Sequence, residues 1–107
     1  MKKENSLLIN FLGENPVFRI IDFLIENKGM GMTKKEIIEG AGISRAALFK
    51  YWNQIEAQEI VVITRKFGKN KLYALNSKNP IIKKLLELES ILIGKALDKH
   101  ALIEITT

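Results

Sequence analysis

Residues Thr33 to Asn76 read TKKEIIEGAGISRAALFKYWNQIEAQEIVVITRKFGKNKLYALN. Their local signals run helix, tight turn, helix, then a basic hairpin. Thr33 followed by Glu36 has capping-box spacing, in which the hydroxyl accepts from the backbone N–H three residues on and the carboxylate reaches back. The apolar pattern Ile37, Ile38, Ala41 stops at Gly40 and Gly42, and glycine tolerates the positive φ that turns a chain sharply out of a helix. The first helix is therefore expected to be short. Ile43 is placed to plug the angle between the helices, and Ser44 to cap the second.

From Ser44 onward Leu48, Trp52 and Ile55 recur at intervals of four and three, one face of a 3.6-residue period. That face should pack inward. The opposite face carries Arg45, Ala46, Phe49, Lys50 and Asn53, a mixture of cationic, amide and small side chains. Beyond it, Val61 to Lys66 and Lys71 to Asn76 are rich in β-branched and aromatic residues. They flank Phe67-Gly68-Lys69-Asn70, a loop with the glycine and asparagine that short hairpins favour. Arg65, Lys66, Lys69 and Lys71 surround that tip, while Tyr73 and Leu75 alternate onto one face, expected to lean on Ile60 and the second helix. Phe67 at the tip is open between sliding into a minor groove or resting on a sugar, and folding back onto the hairpin.

The segments TKKEIIEGAGISRAALFKYWNQIEAQEIV and RKFGKNKLYALN resemble the winged helix-turn-helix transcriptional regulators of the ArsR/MarR type, over roughly residues 16 to 78. The fold implied is mainly α with a small β-hairpin (α+β). The resemblance makes Ser44 to about Gln58 the recognition helix and Arg65 to Lys71 the wing. In such a module the N-terminal half of the recognition helix enters the major groove. There Arg or Lys donates to guanine O6/N7 and Asn pairs with adenine N6/N7. The DNA-contacting set is then Ser44, Arg45, Ala46, Phe49, Lys50 and Asn53 on the helix, with Arg65, Lys66, Lys69 and Lys71 on the wing. Two residues depart from the pattern. Ile38 stands where many such sequences have alanine, implying wider helix spacing, and Glu59 stands where the family often has glycine.

Charge placement agrees with a phosphate-facing surface. From Lys28 to Lys78 there are ten Lys/Arg against four Glu, a balance of +6, while the rest of the 107 residues carries a balance of −1. The entire positive excess thus lies on the reader and wing. Cations also guard exposed hairpin edges from aggregation, which accounts for a single lysine more readily than for the cluster.

Length and a 47% apolar content suit one domain, residues 1–107, with a DNA-binding core at 16–78. Asn15-Pro16 and Asn79-Pro80 are helix starts, with Asn as cap and Pro at the first helical position. Val17, Ile20, Ile21 and Leu24 give the first an inward stripe. The last helix is expected to run from Pro80 to about Glu104, apolar over more than one face. Together with a short amphipathic element at Leu7 to Leu12 it forms the flanking pieces, 1–14 and 79–107. These are read as dimerisation helices using Leu7, Leu8, Phe11, Ile82, Leu85, Leu88, Leu92 and Ala96 around a two-fold axis. ArsR-type relatives resemble that plan.

Catalysis is not expected. There is no cysteine and one histidine, no Gly-rich loop after a strand, and the acids lie at helix-surface spacing. No metal, cofactor or small-molecule effector is expected, and His100, beside Asp98, is read as a solvated helix residue. The apolar run at the N-terminus is too short and interrupted for a secretory signal, and no stretch reaches the roughly 20 apolar residues that span a bilayer. A cytoplasmic location is the expectation. Two classes of function remain: a dimeric regulator of specific double-stranded DNA sites, or a chromatin-like coating protein or winged-helix adaptor for an acidic partner.

Overall fold

Every helix starts at a side chain that accepts one of its orphan N–H groups. Ser6 accepts from Ile9 at 3.1 Å, Asn15 from Phe18 at 3.0 Å, Ser44 from Ala47 at 3.0 Å and Asn79 from Ile81 at 2.7 Å. Thr33 and Glu36 form the reciprocal box, with both bonds near 3.0 Å. The computed structural model describes residues 5–106, with side chains described to Lys99. It places α1 at Leu7–Leu12, α2 at Pro16–Glu26, α3 at Lys34–Ala41, α4 at Arg45–Ala57, β1 at Val61–Phe67, β2 at Asn70–Leu75 and α5 at Pro80–Thr106. This is the expected α+β winged helix-turn-helix architecture.

The core forms where the apolar faces of these elements converge. Ile20 and Leu24 of α2, Ile37 of α3, Leu48, Trp52 and Ile55 of α4, Ile60 just before β1, Tyr73 and Leu75 of β2, and Ile82 of α5 are all buried together. Gly40 has a role that its position in the sequence disguises. It lies inside α3, and a Cβ there would stand 2.0 Å from the Phe23 ring, so glycine lets α2 and α3 approach. Gly42 alone ends the helix, at φ 67° and ψ 38°. Ile38 packs half-buried on the core's margin, as does Ile43 in the turn.

β1 and β2 are antiparallel, with Val61 opposite Leu75 and Phe67 opposite Asn70, and a register shift between Ile63 and Arg65. The hairpin is tighter than the sequence suggests. Phe67 and Asn70 join the strands, leaving Gly68-Lys69 as a two-residue loop whose glycine has φ 62°. Positive φ at the first loop position matches the twist of the flanking strands. β2 also pairs on its other side with Met32, through two 2.8 Å bonds to Tyr73.

The flanking helices are more involved in the core than their reading as dimerisation pieces implies. α1 packs on both α2 and α5. Leu8 is 2% exposed and Ile82 fully buried, so both turn their apolar surface inside the chain and present none to a second copy. The physical reason is that α1 folds back over α2, where Ser6 also donates to the buried Asp22 at 2.8 Å. Leu7 and Phe11 remain exposed, Leu85, Leu88 and Leu92 half-buried, and Ala96 exposed. Farther along, α5 leaves Ile91, Ile93 and Leu97 in the open. His100 lies outside the residues whose side chains are described. Among the described residues no helix is long and apolar enough to cross a membrane.

The exit from α4 is the one strained backbone point. Ile60 N–H reaches Ile55 C=O and Glu59 N–H reaches Glu56 C=O, the paired bonds of a Schellman turn, with Glu59 at φ 56°. It is the one non-glycine residue at positive φ among those described. The site conventionally taken by glycine is thus occupied by Glu, held by amides: Asn76 donates to the Glu59 carbonyl at 2.9 Å and buried Asn79 at 2.8 Å, with a second bond from Asn79 to Gln58 at 2.6 Å. Because a side chain in the left-handed region costs roughly 1–2 kcal/mol, Glu59→Gly is expected to stabilise the fold by about 1 kcal/mol, read as a higher urea midpoint at unchanged slope. A second expectation concerns Glu89, whose carboxyl is pushed above its ordinary range by burial and by the nearby Asp22 and Glu26 carboxylates. A raised carboxyl favours the fold fully only below the ordinary value of 4.5, and that benefit is lost as pH rises through the folded-state value. Glu89→Gln should therefore raise the melting temperature at pH 7, and the difference should close below pH 4.5.

Candidate nucleic-acid interface

The inward stripe of α4 fixes which of its side chains face out. With Leu48, Trp52 and Ile55 buried, Ser44, Arg45, Ala46, Phe49, Lys50 and Asn53 are all exposed. Ser44 is partly committed, since its hydroxyl caps α4. Phe49, though 48% exposed, is held between two cations: the Arg45 guanidinium lies 5.1 Å from its ring centre and the Lys34 ammonium 5.5 Å. A cation over an aromatic face gains about 0.5–1 kcal/mol at an exposed site. Arg45 is thereby given a preferred direction on the outer face of α4. Lys50 lies 5.4 Å from the Tyr51 ring in the same way.

On the wing, Arg65, Lys66, Lys69 and Lys71 are all exposed. Lys66 stands directly opposite Lys71 across the ladder, a like-charge pair that the sheet gains nothing from. Phe67 stays exposed at the tip, with the Arg65 guanidinium 6.0 Å from its ring centre. The ring supports a cation there and does not bury itself on the hairpin.

Between wing and helices lies a cleft of about 320 Å³, lined by Thr33, Lys34, Lys35, Lys69, Asn70, Lys71 and Tyr73. Of its lining only Lys69 and Lys71 belong to the expected set, and the cleft unites them with the start of α3. The Lys34 ammonium lies over three rings, at 5.5 Å from Phe49, 5.3 Å from Trp52 and 5.8 Å from Tyr73. Trp52 and Tyr73 themselves meet edge to face at 4.9 Å. Burial and the Glu56 charge push the Tyr73 phenol above its ordinary value, so it is a neutral hydroxyl at physiological pH. Lys34 and Lys35 escaped the sequence reading because a capping box explained their neighbours. The available signal was their sign: cations in the first turn of a helix oppose its dipole.

The ion pairs resolved among the described residues are Arg19–Glu14 and Lys84–Glu87, both away from this face. No group of three or more His, Asp or Glu there could hold a metal ion. The arrangement is suited to holding an extended anion by many cations, with amide and guanidinium groups free to donate on α4.

Three helices, a tight turn and a β-hairpin beside an exposed second helix define the winged helix-turn-helix class. The solved structure of Sso10a-2, a DNA-binding protein from Sulfolobus solfataricus, matches with a TM-score of 0.53 at 20% sequence identity, over 83% of this chain and 94% of that one. That likeness is one of fold. No protein-family model matches the chain, and no curated protein does.

The cage around Lys34 makes a direct expectation. Ring currents should move its ε-methylene protons upfield of those of the other lysines in a carbon-resolved NMR spectrum, and Phe49→Leu should undo only part of that shift, because Trp52 and Tyr73 remain. A Lys34 signal at the position of a solvated lysine in the native protein contradicts the cage.

Proposed function

We propose that the chain is a sequence-specific double-stranded DNA-binding transcriptional regulator that acts as a homodimer, as its resemblance to ArsR/MarR-type regulators implies. The observation that carries this reading is exposure: Arg45, Lys50 and Asn53 on α4 and Arg65, Lys66, Lys69 and Lys71 on the wing all face solvent, none of them in an ion pair resolved among the described residues. The DNA-binding fold neighbour supports it. Arg45, Lys50 and Asn53 take the base-reading roles, and the wing cations hold phosphates. Readout in the groove supplies sequence preference, while phosphate contacts supply salt-dependent affinity and register. On this reading the protein works as a binding module in the cytoplasm, without cofactor or catalysis.

The homodimer is supported by apolar surface that one copy leaves uncovered. Leu7 and Phe11 on α1, and Leu88, Leu92 and their neighbours Ile91, Ile93 and Leu97 on α5, are exposed or half-buried. α5 is 27 residues long, roughly 40 Å at 1.5 Å per residue, and its apolar residues continue past the core. Pairing such helices about a two-fold axis would present two recognition helices to half-sites roughly 34 Å apart.

Two measurements test this. Fluorescence anisotropy with a pool of random 30-base-pair duplexes should show binding that weakens steeply with salt; on a site selected from that pool, Arg45→Ala should cost about 1–3 kcal/mol, and far less on unselected sequences. An equal loss on every sequence would indicate a coating protein, and no binding at low salt an adaptor. Sedimentation equilibrium should give twice the 12.2 kDa chain mass, and Leu88→Glu/Leu92→Glu should return the single-chain mass.

A further inference from the structure

We infer that the cleft between the start of α3 and the wing tip is a phosphate site, taking the backbone strand that borders the groove read by α4, with Lys34, Lys35, Lys69 and Lys71 as its cations. The inference rests on the DNA-binding reading and extends it to α3, which that reading leaves without a role.

Three charge placements point to an anion here, each unfavourable without one. Lys34 and Lys35 occupy the first two positions of α3, where the helix dipole repels cations. Lys66 and Lys71 oppose one another across the hairpin. Four lysines line one cleft of about 320 Å³, and none of them is in a resolved ion pair among the described residues. Glu36, the acid nearest in sequence, is tied by two bonds to Thr33, through its N–H at 3.0 Å and its hydroxyl at 3.1 Å. Three such placements gathered around one cleft mark that cleft as a binding site.

The cleft is also prepared for such a ligand. Lys34 is held over the faces of Phe49, Trp52 and Tyr73, so its ammonium loses the freedom of a solvated lysine. A fixed cation loses less entropy when it meets an anion. Opposite it, Lys69 and Asn70 sit at and beside the two-residue wing loop, whose short length fixes them relative to α3. Asn70 and the neutral Tyr73 hydroxyl add donors for phosphate or sugar oxygens. The position follows from Phe49, whose ring centre lies 5.5 Å from the Lys34 ammonium and 5.1 Å from the Arg45 guanidinium. Lys34 of the cleft therefore lies beside the outer face of α4, and a duplex seated on α4 would bring a strand near it.

The experiment is a salt series of duplex binding by native protein, by Lys34→Gln/Lys35→Gln, and by Lys95→Gln on exposed α5 as a control, each confirmed folded by its thermal melt. Removing one lysine–phosphate interaction should reduce the slope of log affinity against log salt by about 0.9. The double variant, which removes two of the site's cations, should show a slope shallower by about 0.9 to 1.8, and Lys95→Gln no change. Native binding with an unchanged slope in the double variant overturns the cleft assignment and leaves the DNA reading standing. No duplex binding by native protein overturns both. A parallel amide NMR titration with pyrophosphate distinguishes the source of the phosphate. Weak, millimolar shifts confined to residues 33–36 and 69–73 support a strand site; micromolar saturation would assign the cleft to a free polyphosphate and overturn the strand assignment.

Discussion

The pairing of Met32 with Tyr73 is the constraint on which the molecule's working face depends. A two-stranded hairpin is marginal on its own in water, and this one has most of β1 exposed. Its inner strand is fastened by two 2.8 Å backbone bonds to the residue just before the α3 cap. The side chain at that point is Tyr73, buried against Trp52 of α4. One residue therefore joins the wing to α3 by its backbone and to α4 by its ring. The loop at Gly68-Lys69 is too short to let the tip wander far from that anchor.

The same junction explains how cations are concentrated without collapsing onto the core. Phe49, Trp52 and Tyr73 offer Lys34 ring faces that favour a cation, and no ion pair to Lys34 is resolved among the described residues. Phe49 does the same for Arg45, and Phe67 for Arg65. Aromatic residues on this face orient charge while leaving it available. Carboxylates in the same positions would have fixed the side chains equally well and cancelled the field. Asp22, Glu26 and Glu89 form a separate acidic group on α2 and α5.

What was legible in the sequence was whatever local chemistry decides. Thr33/Glu36, Ser44 and the two Asn-Pro pairs announced helix starts, and all four begin helices. The Leu48, Trp52, Ile55 period fixed which side of α4 is exposed, so every proposed reader residue lies on the surface. Features that depend on a distant partner were not legible. Gly40 looked like a stop signal because nothing nearby in sequence reveals the Phe23 ring beside it. Glu59 was noticed as a departure, yet the amides of Asn76 and Asn79 that hold its carbonyl lie 17 and 20 residues on. Leu8 and Ile82 read as surplus apolar residues until α1 folded back onto α2 and α5. The cleft depended on a β-bridge between residues 32 and 73, which no periodicity encodes.

Surplus apolar surface and surplus charge lie at different places on this chain, and that separation bears on how the proposed assembly would work. The positive excess lies between Lys28 and Lys78, on α3, α4 and the wing, and the lysines of α5 are matched by its acids, whereas uncovered Ile91, Ile93 and Leu97 lie far along α5. Two copies paired through α5 would bury apolar area without bringing their basic faces into contact, so dimerisation need not work against mutual repulsion at close range. The principal extent of 60 Å against 31 and 20 Å leaves room for that division. Had the apolar face lain beside the wing, pairing would have set the two cation clusters within a Debye length of each other and left DNA, not the protein, to hold the dimer together. Here the hydrophobic and electrostatic terms can act independently, which is the condition for a dimer that forms before it meets its duplex.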